Sequence, residues 1–272
     1  MQSATCSRQL LSGVGVTSSH LDSDALARRV RLSAGVTVCQ SDDGVYSPGA
    51  VLPRVPFREV SGDEWSRLCG AQEQTVRLVR IPEAAKELLN RLRLEKVTDP
   101  ASLDRLHRSR RYVDTMWKLG MAVSEIFEPS NTRPGIFLNQ PGLLTSTYDS
   151  PTSRYVGLHI DAFHGTMPGP GERRPGRITM NVGAELRSFL MVNMSFDQIV
   201  RQPVIAALGQ GRFDKTDVVR IFCEHFSDYP VTAIYIEPGE AYIAETERLI
   251  HDGSTLGQKL PGLTAVVHGY VH

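Results

Sequence analysis

Two stretches of the chain carry residues whose types and spacing can do chemistry. The first is Tyr155-Val-Gly-Leu-His159-Ile-Asp161, a β-favouring run ending on a His and an Asp two positions apart. On a strand, both side chains leave by the same face. The second is Leu249-Ile-His251-Asp-Gly253, an apolar strand ending on another His ninety residues after Asp161. Two imidazoles and one carboxylate are the donor set of a 2-His-1-carboxylate facial triad, which holds Fe(II) on one side and leaves the other open. The set works only if His159, Asp161 and His251 meet in space. In the bland alternative, His159 and Asp161 pair structurally and His251 fills a strand end.

Two further histidines compete. His164 makes H-x-D-x-x-H, a spacing that also suits a hydrolytic metal centre, although a structural or supporting role is the simpler expectation. His225 sits in an amphipathic helical stretch, where a surface or core role is expected.

Both stretches need strands to hold them, and the second half of the chain reads that way. From Pro134 onward, short β-like runs are broken by Gly and Pro, over 136–139, 143–148, 154–160, 177–182, 187–193, 231–236, 241–251 and 263–271. About eight strands suit a jelly roll or small barrel. Two helices are expected among them. One starts at the capping box Ser195-Phe-Asp-Gln198 and runs to about Leu208 with a bend at Pro203; the other spans Asp214–Phe226.

The first half reads differently. Residues 1–60 are rich in Ser, Gly, Thr and Val and predict a loose arm or an edge strand. Residues 61–133 predict a mainly helical layer. Ser61-Gly-Asp-Glu64 is a capping box, and Thr75–Ile81 alternates apolar and basic residues as a half-buried strand does. Pro82 opens a helix to about Val97, and Asp99-Pro100 opens a longer one to about Phe127, with its apolar stripe from Leu103 to Ile126. The fold class expected is α+β in a single domain, 1–272: a helical layer packed on a β-roll over 134–272.

Bulk properties exclude some partners. Thirty basic and 30 acidic residues balance, so no global field draws nucleic acid or an anionic membrane. Five lysines stand against 25 arginines, and arginine suits bidentate carboxylate binding. Cys6, Cys39, Cys69 and Cys223 are scattered with no C-x-x-C pair, which points to free thiols in a reducing cytoplasm and no zinc ribbon. There is no long apolar run and no standard export signal. A cytoplasmic location and a small-molecule substrate are expected, and a homodimer is compatible with the sequence.

The H-x-D…H order on strands of a β-rich half resembles the Fe(II)/2-oxoglutarate-dependent dioxygenases, the small-molecule or amino-acid hydroxylases among them. Their core is a double-stranded β-helix (jelly-roll or cupin-like), with H-x-D on an early strand and the distal His on a late one. The resemblance covers roughly residues 134–272. It implies that His159, Asp161 and His251 ligate Fe(II), with 2-oxoglutarate and O₂ as co-substrates. With Asp161 in place, it implies hydroxylation or desaturation and not halogenation.

The chain departs from the pattern at one point. Most relatives place an Arg some ten to twenty residues after the distal His, to hold the far carboxylate of 2-oxoglutarate. After His251 this sequence offers only Ser254, Thr255, Lys259 and His268. Relatives of the JmjC type keep their cation on the strand after the hairpin that follows the metal strand. On that pattern Arg187 is the first choice and Arg177 the second. Substrate contacts are expected from Thr145, Tyr148, Arg154, Arg77 and Arg133, whose charge favours a small anionic or zwitterionic substrate. Two other readings stand beside the oxygenase: a β-roll metal hydrolase or isomerase without 2-oxoglutarate, and a metal-free ligand-binding β-roll.

Overall fold

Residues 13–40, 44–70, 74–161, 174–206 and 215–271 are described in a computed structural model of the chain. Cys6, His164 and residues 162–173 of the Gly- and Pro-containing loop lie outside them. The chain opens with β1 (Val14–Ser18), α1 (Ser23–Ala27), β2 (Val30–Leu32), β3 (Val36–Val38), β4 (Tyr46–Pro53) and β5 (Arg58–Glu59). Then come α2 (Gly62–Cys69), β6 (Gln74–Arg80), α3 (Glu83–Asn90), α4 (Pro100–His107) and α5 (Arg110–Ala122). The second half runs β7 (Glu128–Pro129), β8 (Gly135–Asn139), β9 (Tyr148–Asp149), β10 (Arg154–Gly157), β11 (Arg174–Asn181) and β12 (Arg187–Ser195). After α6 (Phe196–Val200), α7 (Pro203–Ala206) and α8 (Lys215–His225), it closes with β13 (Thr232–Ile236), β14 (Glu240–Ala244), β15 (Leu249–Ser254) and β16 (Gly262–Val271).

Caps decide where the helices begin. Ser61 and Glu64 exchange side-chain-to-backbone bonds of 3.3 and 2.9 Å at the start of α2, and Ser195 and Gln198 do the same at α6. The long helix predicted from Asp99 is two helices. Ser109 takes an extended backbone and caps Tyr112 N at 3.1 Å, so a second helix starts where the first turns away. Likewise the strand predicted over 241–251 divides into β14 and β15, separated by a 3₁₀ turn at Thr246–Arg248.

The strand pairing defines a double-stranded β-helix. One sheet holds β14-β11-β16-β8, all antiparallel neighbours. The facing sheet holds β13-β12-β15, and β10 joins it through a bridge between His159 and His251. Along β8, β10, β11, β12, β13, β14, β15 and β16 the chain crosses from one sheet to the other at every step except β12 to β13, which are neighbours in the second sheet, and the β14–β11 pairing joins strands far apart in sequence.

The first sixty residues do more than the expected arm. β1 is an edge strand, parallel to β6, which extends the first sheet beyond β14. β2 extends the second sheet beyond β13, and β4 pairs with β10 beside the H-x-D stretch. The reason is burial: Val14, Val16, Val30 and Leu32 are at most 2% exposed and can be covered only inside the roll.

Helices cover the outer faces. Met116, Leu119 and Val123 of the α5 region pack with Leu89 on Ile178, Met180, Ile243 and Val267 of the first sheet. Val218, Val219 and Phe222 of α8 pack on Leu190, Val192, Ala233 and Ile250 of the second. Among the described residues, no helix is long and apolar enough to cross a membrane.

Candidate metal centre

β12 shows how period two sorts side chains here. Leu190 and Val192 face α8, while Phe189 and Met191 face the interior of the roll with Tyr242 and Ala244. Arg187 has the parity of Phe189, and His251 and Gly253 on β15 pair across from Met191 and Phe189. The interior therefore receives Arg187, His251 and the glycine together. His159 and His251 are brought opposite each other by two backbone bonds, His159 N to His251 O at 3.0 Å and the reverse at 2.8 Å.

Asp161 lies between the two imidazoles. Its Oδ1 is 3.4 Å from His159 Nε2 and its Oδ2 is 3.7 Å from His251 Nε2. One donor atom from each of the three residues falls within 4.8 Å of the others. Both rings are oriented from behind. His159 Nδ1 faces Gly157 O at 3.0 Å, and His251 Nδ1 faces Leu249 O at 2.9 Å. A proton on each Nδ1 leaves both Nε2 lone pairs facing the interior, that of His159 toward Asp161 and that of His251 toward Arg177 Nη2 and Asp161; among the described residues the buried Asp161 Oδ2 has no hydrogen-bond partner. The donor set, its orientation and the orphaned oxygen fit a divalent metal with nitrogen and oxygen ligands.

The electrostatics agree. Burial pulls His251 down to about 3, so it is neutral at any ordinary pH. Burial also opposes a charge on His159, but the Asp161 and Asp252 carboxylates that face its two ring nitrogens outweigh it and lift that ring to about 10. Burial likewise opposes ionisation of Asp161, yet Arg177 and the His159 imidazolium hold its carboxyl well below the usual range. A cation at Nε2 would take the place of the proton that His159 holds.

Two guanidinium groups share the interior. Arg187 is 5% exposed, and among the described residues its Nε and Nη1 have no hydrogen-bond partner. Burial drives its pKa down, and no carboxylate among the described residues forms an ion pair with it. Arg177 stands nearer the triad, with Nη1 3.6 Å from Asp161 Oδ2 and Nη2 2.5 Å from His251 Nε2. Thr179, next but one on β11, also buries an unpartnered hydroxyl. Gly253 makes room for Arg187. A Cβ there would collide with Nη2 of Arg187 and stand 2.8 Å from Ser146 Oγ.

The other sequence candidates go elsewhere. Ser254 Oγ donates to Leu143 O at 2.9 Å and Thr255 Oγ1 to Gln140 O at 2.6 Å, so both hydroxyls hold the loop before β9. Lys259 is exposed in a turn whose backbone donates to Glu185. His268 pairs with Arg177 across β16 and β11. Arg77 donates to Ile126 O at 2.7 Å on the helix-covered side, and Arg133 stacks on Tyr112, 5.4 Å from its ring centre. These two are spent on the helical layer. Thr145 is fully buried beside the Tyr46 hydroxyl, and Arg154 sits on β10 opposite Asp149. His225 is bonded within α8, through Nδ1 to Ile221 O at 3.1 Å.

A cleft of about 620 Å³ opens on His159 and Asp161. It is lined by Ser47 and Val51 of β4, by Tyr148, Asp149, Val156 and Leu158, and by Thr216, Val219 and Arg220 of α8. Sequence reasoning placed Tyr148 there and missed the β4 and α8 residues. Arg220, on the polar side of an amphipathic helix, carries no local sign of a site.

No family model matches the chain, and no curated protein matches it. Solved structures similar to it include the Kdo hydroxylase KdoO, a non-heme Fe(II) alphaketoglutarate dependent dioxygenase. In complex with cobalt(II), that enzyme has a TM-score of 0.38 and 15% identity over 72% of this chain and 80% of its own. In complex with succinate and Fe(III), the values are 0.37 and 16% over the same shares. With alphaketoglutarate and Fe(III), they are 0.35 and 16%. The likeness is slight, and the case for function rests on the chain's own side chains.

Proposed function

We propose that the chain is an Fe(II)- and 2-oxoglutarate-dependent oxygenase that hydroxylates or desaturates an unactivated C–H bond of a small molecule. The carrying observation is a triad of metal donors in the same interior as Arg187, a buried guanidinium with unpartnered N–H groups. A buried cation without a counter-ion is costly, and a bound carboxylate would relieve that cost. In this reading His159, Asp161 and His251 hold the metal, and Arg187 takes the far carboxylate of 2-oxoglutarate, with Arg177 and Thr179 beside it. When bound, the metal with O₂ and 2-oxoglutarate supplies the oxidant, and the co-substrate leaves as succinate and CO₂.

The chain's own residues do the rest. The Leu249 and Gly157 carbonyls fix the imidazoles, and the apolar cluster around Phe189 and Met191 keeps water from the inner end. The cleft orients the target. Arg220, which is shared with Asp217 and Glu224 of its own helix, and Asp149 bring both charge signs to its lining, against the aliphatic Val51, Val156, Leu158 and Val219. That mixture suits a zwitterionic or anionic substrate, such as a free or N-acylated amino acid or a natural-product intermediate.

The test is an anaerobic Fe(II) titration followed by 2-oxoglutarate. A visible charge-transfer band, then O₂-dependent succinate formation, is the expected result. Metal binding with neither band nor succinate would exclude 2-oxoglutarate chemistry and leave a hydrolase or isomerase.

A further inference from the structure

The residue after His251 is a fully buried carboxylate whose two oxygens face different partners. Asp252 Oδ1 accepts from Ser146 N at 3.2 Å, Thr147 N at 3.1 Å, Thr147 Oγ1 at 3.0 Å and Gly253 N at 2.6 Å. With four donors on one oxygen, the direction of the other is set. Among the described residues Oδ2 has no hydrogen-bond partner, and it stands 3.5 Å from Nδ1 of His159, two residues beyond β10.

We propose that Asp252 is the positioning residue for His159. It shares the Nδ1 proton with Gly157 O, holds the tautomer that turns Nε2 toward Asp161, and makes that nitrogen a stronger donor. Carboxylates behind metal-bound imidazoles act in this way. The two histidines are then unequal, because among the described residues His251 Nδ1 faces the Leu249 carbonyl and no carboxylate. A buried carboxylate is retained only where it is paired or richly hydrogen-bonded, and loop clamping alone would use Oδ1 and leave Oδ2 an uncompensated cost. This inference rests on the metal-centre reading above, and it adds a residue to that site.

Co²⁺ titration of the metal-free protein tests it. Asp252→Asn should weaken Co²⁺ binding about 10- to 100-fold. Thr147→Val removes one donor to Oδ1 while leaving Oδ2 in place, and should leave the affinity within about twofold. A second readout needs no variant. In the Zn²⁺-loaded wild type, the Nδ1 proton of His159 should resonate clearly downfield of that of His251. Folded Asp252→Asn protein that binds Co²⁺ like the wild type overturns the proposal, as do equal losses in the two variants or coincident Nδ1 resonances. A wild type that binds no Co²⁺ overturns the metal centre itself. Tight wild-type binding with an unaffected Asp252→Asn removes only the role of Asp252.

Discussion

His159 and His251 sit directly opposite each other on adjacent strands, joined by a reciprocal pair of backbone hydrogen bonds of 3.0 and 2.8 Å, with ring centres 4.8 Å apart. Because the backbone makes the pair, the separation of the two rings is a property of the sheet register and not of loop placement. Asp161, two residues along, then needs only period two to reach both Nε2 atoms.

Removing one donor should therefore abolish metal binding without unfolding the roll. For His251→Ala and Asp161→Ala, we expect Co²⁺ or Fe(II) affinity to fall by at least about 100-fold, since the metal loses one of three protein ligands. Calorimetric titration with parallel circular dichroism measures both. Retained affinity in either folded variant would disprove the triad assignment.

Arg187→Met should separate stability from co-substrate binding. The native guanidinium is buried with Nε and Nη1 unpartnered. An apolar replacement of similar length should stabilise the ligand-free protein by about 1–3 kcal/mol in urea unfolding. The same change should raise the Kd for 2-oxoglutarate roughly 10- to 100-fold, the worth of a charge-assisted hydrogen bond, with metal affinity unchanged. A variant that loses stability and keeps 2-oxoglutarate affinity would give Arg187 a structural role.

Gly253→Ala is a methyl group aimed at that guanidinium and at Ser146 Oγ. Overpacking of this kind costs about 1–3 kcal/mol. The KM for 2-oxoglutarate should rise because Arg187 is displaced, while kcat at saturation changes less. In the double variant with Arg187→Met the two effects should be non-additive, since they share one contact.

Acid should loosen the α2 corner. Arg58 pairs with Glu64 at 2.6 Å, and with the Ser61 cap it holds the Glu64 carboxyl down at about 2. A depressed folded pKa stabilises above the ordinary carboxylate value and is lost as pH falls toward 2. Arg58 is 56% exposed, so solvent screening reduces the contribution to about 1 kcal/mol. Wild type minus Glu64→Gln stability, by urea unfolding, should be flat from pH 7 to 5 and shrink between pH 4.5 and 2. A difference that grows on acidification contradicts the pairing.

Local chemistry reached far into this structure. Serine and aspartate caps marked helix starts at Ser61, Asp99 and Ser195, and period-two runs marked the strands of the roll. The break between α4 and α5 was missed because the apolar stripe continues through it, and Ser109 reads as a cap only once the second helix has turned. Residues 14–59 read as an arm because their β-favouring pieces are interrupted by Gly, Ser and Pro; what holds them is pairing with β6, β13 and β10, far along the chain.

The H-x-D tripeptide began as a pattern common by chance, and its residue types and strand period are all that the sequence by itself determined about the centre. The sequence also supplied the arginines, and only the family resemblance ranked Arg187 before Arg177, since a guanidinium on a strand faces water or the interior according to register alone. Tertiary structure decided the rest. The β10–β15 bridge set His159 against His251, and the parity of β12 sent Arg187 inward to lie against Gly253. It also put Asp252 Oδ2 behind the His159 ring. The physical reason is that a donor set is a matter of distances of a few ångströms between residues about ninety apart in sequence, and only sheet register converts one into the other.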